Sequence, residues 1–290
     1  MKAGNTPAQV ALNNILVATD FSPPSQTALF FALSLVRRFG ATLFLAHVAP
    51  PGSDAASLER ARQEAQQLAT DLFTSGHLRG VLHKVLVAQG EVCEALAPLI
   101  QEHSIDLIAI GTRGRSGAGK TSLGSVAECV FRRTPRAVLT VRPDFPSEPL
   151  HGSGLRRILY AADFTPQSLH AAPYAVSVAQ GFQAQLTMLH VIQEPARTPR
   201  GPKGRPLEEA KSRLRDLIPE AADLPSEPDL IVGFGTPAAR ILDVAAEKNP
   251  DLIVLGVSQP GSAESHPWAT ASEVVAKAAC PVLTVRAPEM

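Results

Sequence analysis

The 290-residue sequence predicts an α/β protein built as two tandem, doubly wound parallel sheets of five strands each. Three observations lead there. Blocks of sequence recur in the same order at a nearly constant offset. Ile15-Leu16-Val17-Ala18-Thr19-Asp20-Phe21-Ser22-Pro23 returns as Ile158-Leu159-Tyr160-Ala161-Ala162-Asp163-Phe164-Thr165-Pro166, 143 positions later. Leu45-Ala46-His47-Val48 aligns with Met188-Leu189-His190-Val191 at 143, Asp106-Leu107-Ile108 with Asp251-Leu252-Ile253 at 145, and Val138 to Arg142 with Val282 to Arg286 at 144. Ordered matches of this kind indicate a tandem duplication. Within each copy, short β-rich runs alternate with longer helical patterns, as in strand–helix–strand units with right-handed crossovers. Runs such as Leu107-Ile108-Ala109-Ile110 are apolar throughout, which suits central parallel strands covered on both faces.

In the first copy the strands are expected near 14–20, 42–48, 81–88, 106–111 and 137–142. The helices fall near 23–39, 55–75, 91–103 and 123–133. The first helix has a readable start and stop. Ser22 is the N-cap, Pro23 takes the first helical position and Gly40 follows the end. Thr165, Pro166 and Gly181 read as the same grammar in the second copy. Arg142-Pro143-Asp144-Phe145-Pro146-Ser147-Glu148-Pro149, followed by His151-Gly152-Ser153-Gly154, can continue neither strand nor helix. It is the linker between a domain at 1–147 and a domain at 154–290. A second irregular stretch, Pro195 to Pro206 with Arg197, Arg200, Lys203 and Arg205, reads as a solvated loop.

Composition excludes several classes. Hydrophobic residues at 45% and charged residues at 19% argue against disorder and against a coiled coil. Lys+Arg and Asp+Glu both number 27, so no basic field exists for nucleic acid or an anionic membrane. No apolar run approaches the roughly 18 residues of a membrane span. Met1 to Asn14 lacks the apolar core of a signal peptide, and a cytoplasmic location is expected. Cys93, Cys129 and Cys280 have no zinc spacing and are too few for a disulfide framework; they are expected as buried small apolar residues. His47 and His190 end corresponding strands and read as a repeated structural histidine. Trp268 opens a helix and reads as packing.

The most informative stretch runs from Asp106 to Phe131, DLIAIGTRGRSGAGKTSLGSVAECVF. An apolar strand ends at Gly111, a glycine-rich basic segment follows, and a helix begins near Leu123. Backbone N–H groups and the positive helix end then surround a place for an anion, and Arg113, Arg115 and Lys120 add charge suited to phosphates. Two motifs overlap. Gly114-x4-Gly119-Lys120-Thr121 is a literal Walker A match. Gly111-x2-Gly114-x9-Gly124-Ser125 is the second spacing, and a purely structural glycine turn is the bland reading of it. A Walker A loop needs a later strand ending in Asp; the strand at Arg156 to Asp163 only duplicates the one that precedes the loop. Gly119-Lys120-Thr121 is therefore read as an insert in the nine-residue spacer, with Lys120 still within reach of phosphate.

Together with the duplicated α/β units, the second spacing resembles the ATP-binding branch of the universal stress protein family, over residues 12–287. The resemblance implies an adenine-nucleotide alpha-hydrolase-like sheet of strand order 3-2-1-4-5, whose switch point lies between the first and fourth strands. It implies that Ala18, Thr19, Asp20 and the backbone at Val48 hold the adenosine portion of ATP. Gly111, Arg113 and Gly114 would line ribose and phosphates, with Lys120 beside them, and Gly124, Ser125 and Val126 would cradle phosphate. Any Mg2+ would arrive on the phosphates, since no protein-made metal cage or catalytic base is visible. In the second copy Gln259 stands for Gly114, Ala269 for Gly124 and Thr270 for Ser125, and 257–268 holds no Lys or Arg but adds Glu264. That copy is expected not to bind ATP in the family's manner, despite Asp163.

The function so implied is a cytosolic, ATP-binding stress-response regulator, at most a slow ATPase or autokinase labelling Ser125 or Thr121. Regulatory protein partners would read the bound state. The resemblance also implies an intrachain pseudo-dimer through Ala137 to Arg142 and Pro281 to Arg286, and leaves open a homodimer of chains. Two alternatives stand beside it: a P-loop-style ATPase or kinase using Lys120 and Thr121, and a chaperone-like structural module with a vestigial site.

Overall fold

The structure, a computed structural model, describes residues 10–112, 124–145, 154–193, 205–257 and 266–287. The chain divides into two compact units, Ala11–Gly152 and Ser153–Met290. The second also takes in Val10, whose N–H donates to Ser177 Oγ at 3.0 Å.

The first unit runs β1 (Asn14–Ala18), α1 (Pro23–Phe39), β2 (Thr42–Ala49), α2 (Ala55–Thr74), β3 (His83–Gln89), α3 (Val92–Glu102), β4 (Leu107–Gly111), α4 (Ser125–Arg133) and β5 (Ala137–Val141). Its strands are all parallel in the order β3-β2-β1-β4-β5, so the expected switch point between β1 and β4 is present. β1, β4 and β5 are buried almost throughout, as strands covered on both faces must be. Leu16, Phe44, Ile108 and Val138 of the sheet pack with Leu96 and Ile100 of α3 and with Ala127 and Val130 of α4.

The second unit repeats the plan with β6 (Arg157–Ala162), α5 (Pro166–Phe182), β7 (Gln185–Ile192), α6 (Arg205–Arg215), β8 (Asp229–Phe234), α7 (Pro237–Lys248), β9 (Leu252–Val257), α8 (His266–Lys277) and β10 (Val282–Arg286). Its order, β8-β7-β6-β9-β10, is again 3-2-1-4-5 in its own numbering. One carboxylate in each unit organises the amino end of the sheet. Asp106 Oδ2 accepts from the N–H groups of Asn13 and Asn14 at 2.8 and 2.9 Å, and Asp251 Oδ2 from those of Arg156 and Arg157 at 2.7 and 2.9 Å. The duplicated aspartates therefore tie the residues entering the first strand to the start of the fourth.

Three expectations change. Gly181 lies inside α5, and Gln183 takes the left-handed C-cap with φ 51°. The alignment accounts for this, since Gln183 and not Gly181 is the partner of Gly40, whose φ is 65°. Arg205 and Pro206 open α6 and so leave the irregular stretch, because proline is tolerated in a helix's first turn. Cys93 and Cys129 are half-buried and joined by a disulfide. α3 and α4 lie side by side with these Cα atoms 6.3 Å apart, a tertiary proximity that sequence spacing does not encode. Closing a 36-residue separation in this way restricts the unfolded chain and contributes on the order of 4 kcal/mol. Cys280 is buried as expected.

Gly111 ends β4 and Gly256 stands one residue before the end of β9, where the first helices press close. A Cβ on Gly111 would lie 2.8 Å from the Pro24 carbonyl oxygen, and one on Gly256 only 2.4 Å from Ser168 Cα. Both obstacles are backbone, which cannot swing aside. Gly111→Ala and Gly256→Ala are each expected to destabilise their unit by about 1–3 kcal/mol, Gly256→Ala more, as read from urea unfolding midpoints. A midpoint unchanged in both variants would show that the helices are free to retreat.

Candidate functional site

The carboxyl ends of β1 and β4 are neighbours, and the turn leaving β1 is tightly specified. The Thr19 N–H donates to the Ala46 carbonyl at 2.8 Å, keeping this residue in the sheet one step past β1. Asp20 then folds back, its Oδ1 accepting from the Ser22 N–H at 3.1 Å and from the Ser22 hydroxyl. Thr19 Oγ1 accepts from the Phe21 N–H at 3.0 Å and lies 3.1 Å from Ser25 Oγ. Ser22 is the N-cap of α1 by backbone, as expected, but its hydroxyl serves Asp20 instead of the helix. The cost of the turn shows at Phe21, a non-glycine residue at φ 62°.

A histidine holds that residue in place. His47 stacks on the Phe21 ring with centroids 4.5 Å apart, and its Nδ1 lies 2.8 Å from the Thr19 carbonyl oxygen. A carbonyl oxygen only accepts, so Nδ1 carries the proton and the tautomer is set. The second unit repeats the device: Phe164 at φ 61°, its ring 4.4 Å from that of His190, and His190 Nδ1 2.8 Å from the Ala162 carbonyl oxygen. The structural reading of both histidines is therefore correct. The two phenylalanines are what the sequence reading missed, although Asp-Phe-Ser/Thr-Pro occurs in both copies.

Across the switch point, Thr112 continues β4 by one residue. Its N–H donates to the Val141 carbonyl at 2.9 Å, and its carbonyl accepts from the Gly124 N–H at 2.8 Å. This bond seats the start of α4 against the end of β4. Gly124 is the N-cap with φ −63° and no side-chain cap; Ser125 is exposed and Val126 is 41% exposed. The N–H groups of a helix's first turn have no intrahelical acceptor, and they carry the positive end of the helix dipole. Here they lie beside the end of β4, with the Ser125 hydroxyl next to them.

Of the expected site residues, the structure brings Ala18, Thr19 and Asp20 to the end of β1, Val48 to the end of adjacent β2, Gly111 to the end of β4, and Gly124, Ser125 and Val126 to the start of α4. Arg113, Gly114 and Lys120 lie outside the described residues, as do Arg115, Gly119 and Thr121. Gly111 has a structural reason to be glycine, the nearness of Pro24. Gly124 does not need its glycine for backbone angle, since φ −63° suits any residue. Among the described residues no group of three His, Cys, Asp or Glu side chains is placed to hold a metal.

The second unit differs at the same place. α8 begins at His266, four residues before Thr270, the counterpart of Ser125. The helical pattern commits the Thr270 N–H to the His266 carbonyl, so it is not a first-turn donor. A cavity of about 80 Å³ remains at the crevice, lined by Asp163, Leu189, Gln193, Ile241, Gly256 and Thr270 among others. Ligand sites of drug size run to roughly 300–1,000 Å³. Asp163 Oδ1 accepts from the Thr165 N–H and hydroxyl at 3.0 and 2.6 Å, as in the first copy. Tyr160 stands where Val17 stands, fully buried, its hydroxyl donating to the Ser168 carbonyl. Arg213 covers the other face of this corner, its guanidinium 3.9 Å from the Phe164 ring centroid. Gln259 and Glu264 lie outside the described residues, and so does the Trp268 side chain in the first turn of α8.

Comparison with known proteins agrees with this geometry. The model of the universal stress protein family matches residues 11–142 and again 154–286. A universal stress protein of Thermus aquaticus is 34% identical over 136 residues, 44% of this chain and 97% of that protein. A universal stress protein of Mycobacterium tuberculosis is 24% identical over 325 aligned positions, 97% of this chain and 98% of the other. The crystal structure of a universal stress protein from Archaeoglobus fulgidus superposes with a TM-score of 0.72 at 21% identity, covering 96% of this chain and 99% of that one, and so shares the fold.

Burial of His190 lowers its pKa below the ordinary histidine value, with Arg213 adding to the effect and the Ala162 carbonyl and Asp163 opposing it. As the pH falls through the usual histidine range, the unfolded chain takes up this proton before the folded one does. The second unit thus keeps the full contribution above that range and loses it as the pH falls through it. Thermal melts from about pH 7.5 to 5.5 are expected to drop further for the wild type than for His190→Gln. Equal slopes would remove His190 from the acid sensitivity.

Proposed function

The chain belongs to the universal stress protein family, and from that membership we propose that its first unit binds one ATP in the crevice between β1 and β4. The reading rests chiefly on the start of α4. A helix whose N-cap residue, Gly124, has no side chain to cap it is tied to the end of a central strand by the Thr112–Gly124 bond, and Ser125 is exposed there. Oriented N–H groups and a helix dipole suit a phosphate. The intervening sequence supplies Gly114 at the family's spacing and the cations Arg113, Arg115 and Lys120. Ala18, Thr19, Asp20 and Val48 border the opposite wall, where adenosine would lie.

Mg2+ would come with the phosphates and be held by them. No side chain at the described part of the crevice is poised as a general base, since the carboxylate of Asp20 and the ring of His47 are both engaged in the turn. The protein then acts as a nucleotide-dependent regulator with slow turnover at most. Its second unit contributes structure, supported by the helical commitment of Thr270 and the small cavity beside it. The P-loop alternative is disfavoured because β6, the strand that would have to supply the magnesium aspartate, belongs to the second unit, where it pairs with β7 and β9.

Native mass spectrometry of the full chain with ATP is expected to show one nucleotide per chain; two would overturn the assignment of the second unit. Gly124→Val leaves the backbone angle undisturbed and Ser125→Asp sets a charge against phosphate. Each is expected to weaken ATP binding by about tenfold or more in calorimetry, with the fold intact by circular dichroism. Lys120→Ala should weaken binding less than either. Loss of binding in Lys120→Ala alone would favour the P-loop alternative.

A further inference from the structure

The Cys93–Cys129 bond connects α3 to the same helix whose first turn carries the proposed phosphate contacts. Cys129 lies one turn beyond Ser125. α4 is nine residues long, shorter than a helix that is stable by itself, and it buries only Ala127, Val130 and Phe131 among its residues. Its Glu128–Arg132 ion pair is exposed and contributes little. The Gly124 N–H on the Thr112 carbonyl ties its start to β4, and the disulfide ties its middle to α3.

The disulfide is also within reach. Both cysteines are half-buried, and Cys93 lines a groove of about 340 Å³ between α3 and the end of α4. Glu94 and Gln101 lie along the same groove, and Arg133, Thr134 and Arg136 across it, with both arginines exposed. Cationic side chains attract an anionic thiol and favour thiolate over thiol. Cys280 takes no part: burial, aided by the charge of Asp251, pushes its thiol up to about 12.

We propose that Cys93 is a thiol–disulfide exchange site for a small anionic thiol of the glutathione class, and that exchange there releases α4 and weakens nucleotide binding in the first unit. The regulatory half rests on the ATP reading above; the exchange itself does not. In the reductive direction a glutathione thiolate attacks Cys93 Sγ, the Cys93–Cys129 bond breaks, and Cys129 leaves as a thiolate that takes a proton. A second glutathione thiolate attacks the glutathione sulfur of the mixed disulfide, the bond to Cys93 breaks, and Cys93 takes a proton. Two electrons pass from two glutathiones to the protein, and glutathione disulfide departs. Glutathione disulfide reverses both steps. With the tie intact α4 is held for phosphate; without it the helix spends part of its time unseated, and apparent affinity falls by that fraction.

The test uses the full chain, oxidised with glutathione disulfide or reduced with glutathione. Alkylation and mass spectrometry under native conditions are expected to label Cys93 and Cys129 in the reduced form alone, with Cys280 unlabelled in both. Cys129→Ser treated with glutathione disulfide should carry the adduct on Cys93. Amide exchange across residues 125–133 is expected to rise on reduction, and ATP affinity to fall by roughly threefold or more. The Cys93→Ser/Cys129→Ser double variant should match the reduced form under both conditions. An adduct absent from Cys93, or equal exchange in the two forms, overturns the proposal. Should neither form bind ATP while exchange still differs, the nucleotide reading and the regulatory half fall together, and the exchange site stands.

Discussion

The close approach of a helix to the end of a central strand governs what is built around it. At Gly111 and Gly256 the missing side chain lets the backbone of α1 and α5 occupy the space a Cβ would need. With α1 seated there, only a short turn is left between β1 and the helix. Asp20 closes it by bonding Ser22, and Phe21 enters the left-handed region. The displaced ring stacks on His47, and His47 returns a bond to the Thr19 carbonyl. Glycine, aspartate, phenylalanine and histidine thus form one mechanical unit, and it occurs twice because the fold demands it twice.

This separates two kinds of residue that a motif search mixes together. Features common to both units, including Asp20 and Asp163, have partners inside the protein that account for them. Other features are confined to the first unit. The late start of α4 and the exposed Ser125 are not repeated at α8 and Thr270. In the second unit α8 extends back through the equivalent position, and Tyr160 fills space near the Ser168 carbonyl. Two halves with one architecture therefore present different surfaces at the same crevice.

The fold was legible because parallel strands buried on both faces leave continuous apolar runs, and because duplication let each half check the other. Strand order followed from the family likeness and could not have come from periodicity, which says nothing about lateral neighbours. Gly181 misled because glycine is a common helix terminator; the repeat alignment at Gln183 carried the better information. The disulfide was illegible for a different reason. Cys93 and Cys129 meet only through the packing of α3 on α4, and nothing local marks either residue. The expected site residues on β1, β2, β4 and α4 came from the family likeness, and the structure puts them at strand or helix ends, where backbone groups are left without partners in the same element. Phe21 was overlooked because its role depends on a backbone angle that sequence does not display.

The bonds from Asp106 to the Asn13 and Asn14 N–H groups span 93 and 92 positions of the chain. They have a consequence during synthesis. β1 is the middle strand of its sheet, yet the neighbour on one side and the carboxylate that fixes its first residues are translated last but one among the unit's strands. At ribosomal rates of about 5–20 residues per second, one edge of β1 waits roughly 5 to 20 seconds for β4. An apolar strand with an open edge is an invitation to pair wrongly. The second copy carries a strand of nearly the same sequence, Ile158 to Ala162, and its release from the ribosome comes after β4 has been made. The order of elements along the chain thus lets the first sheet close before its near-twin emerges to compete for the same edge.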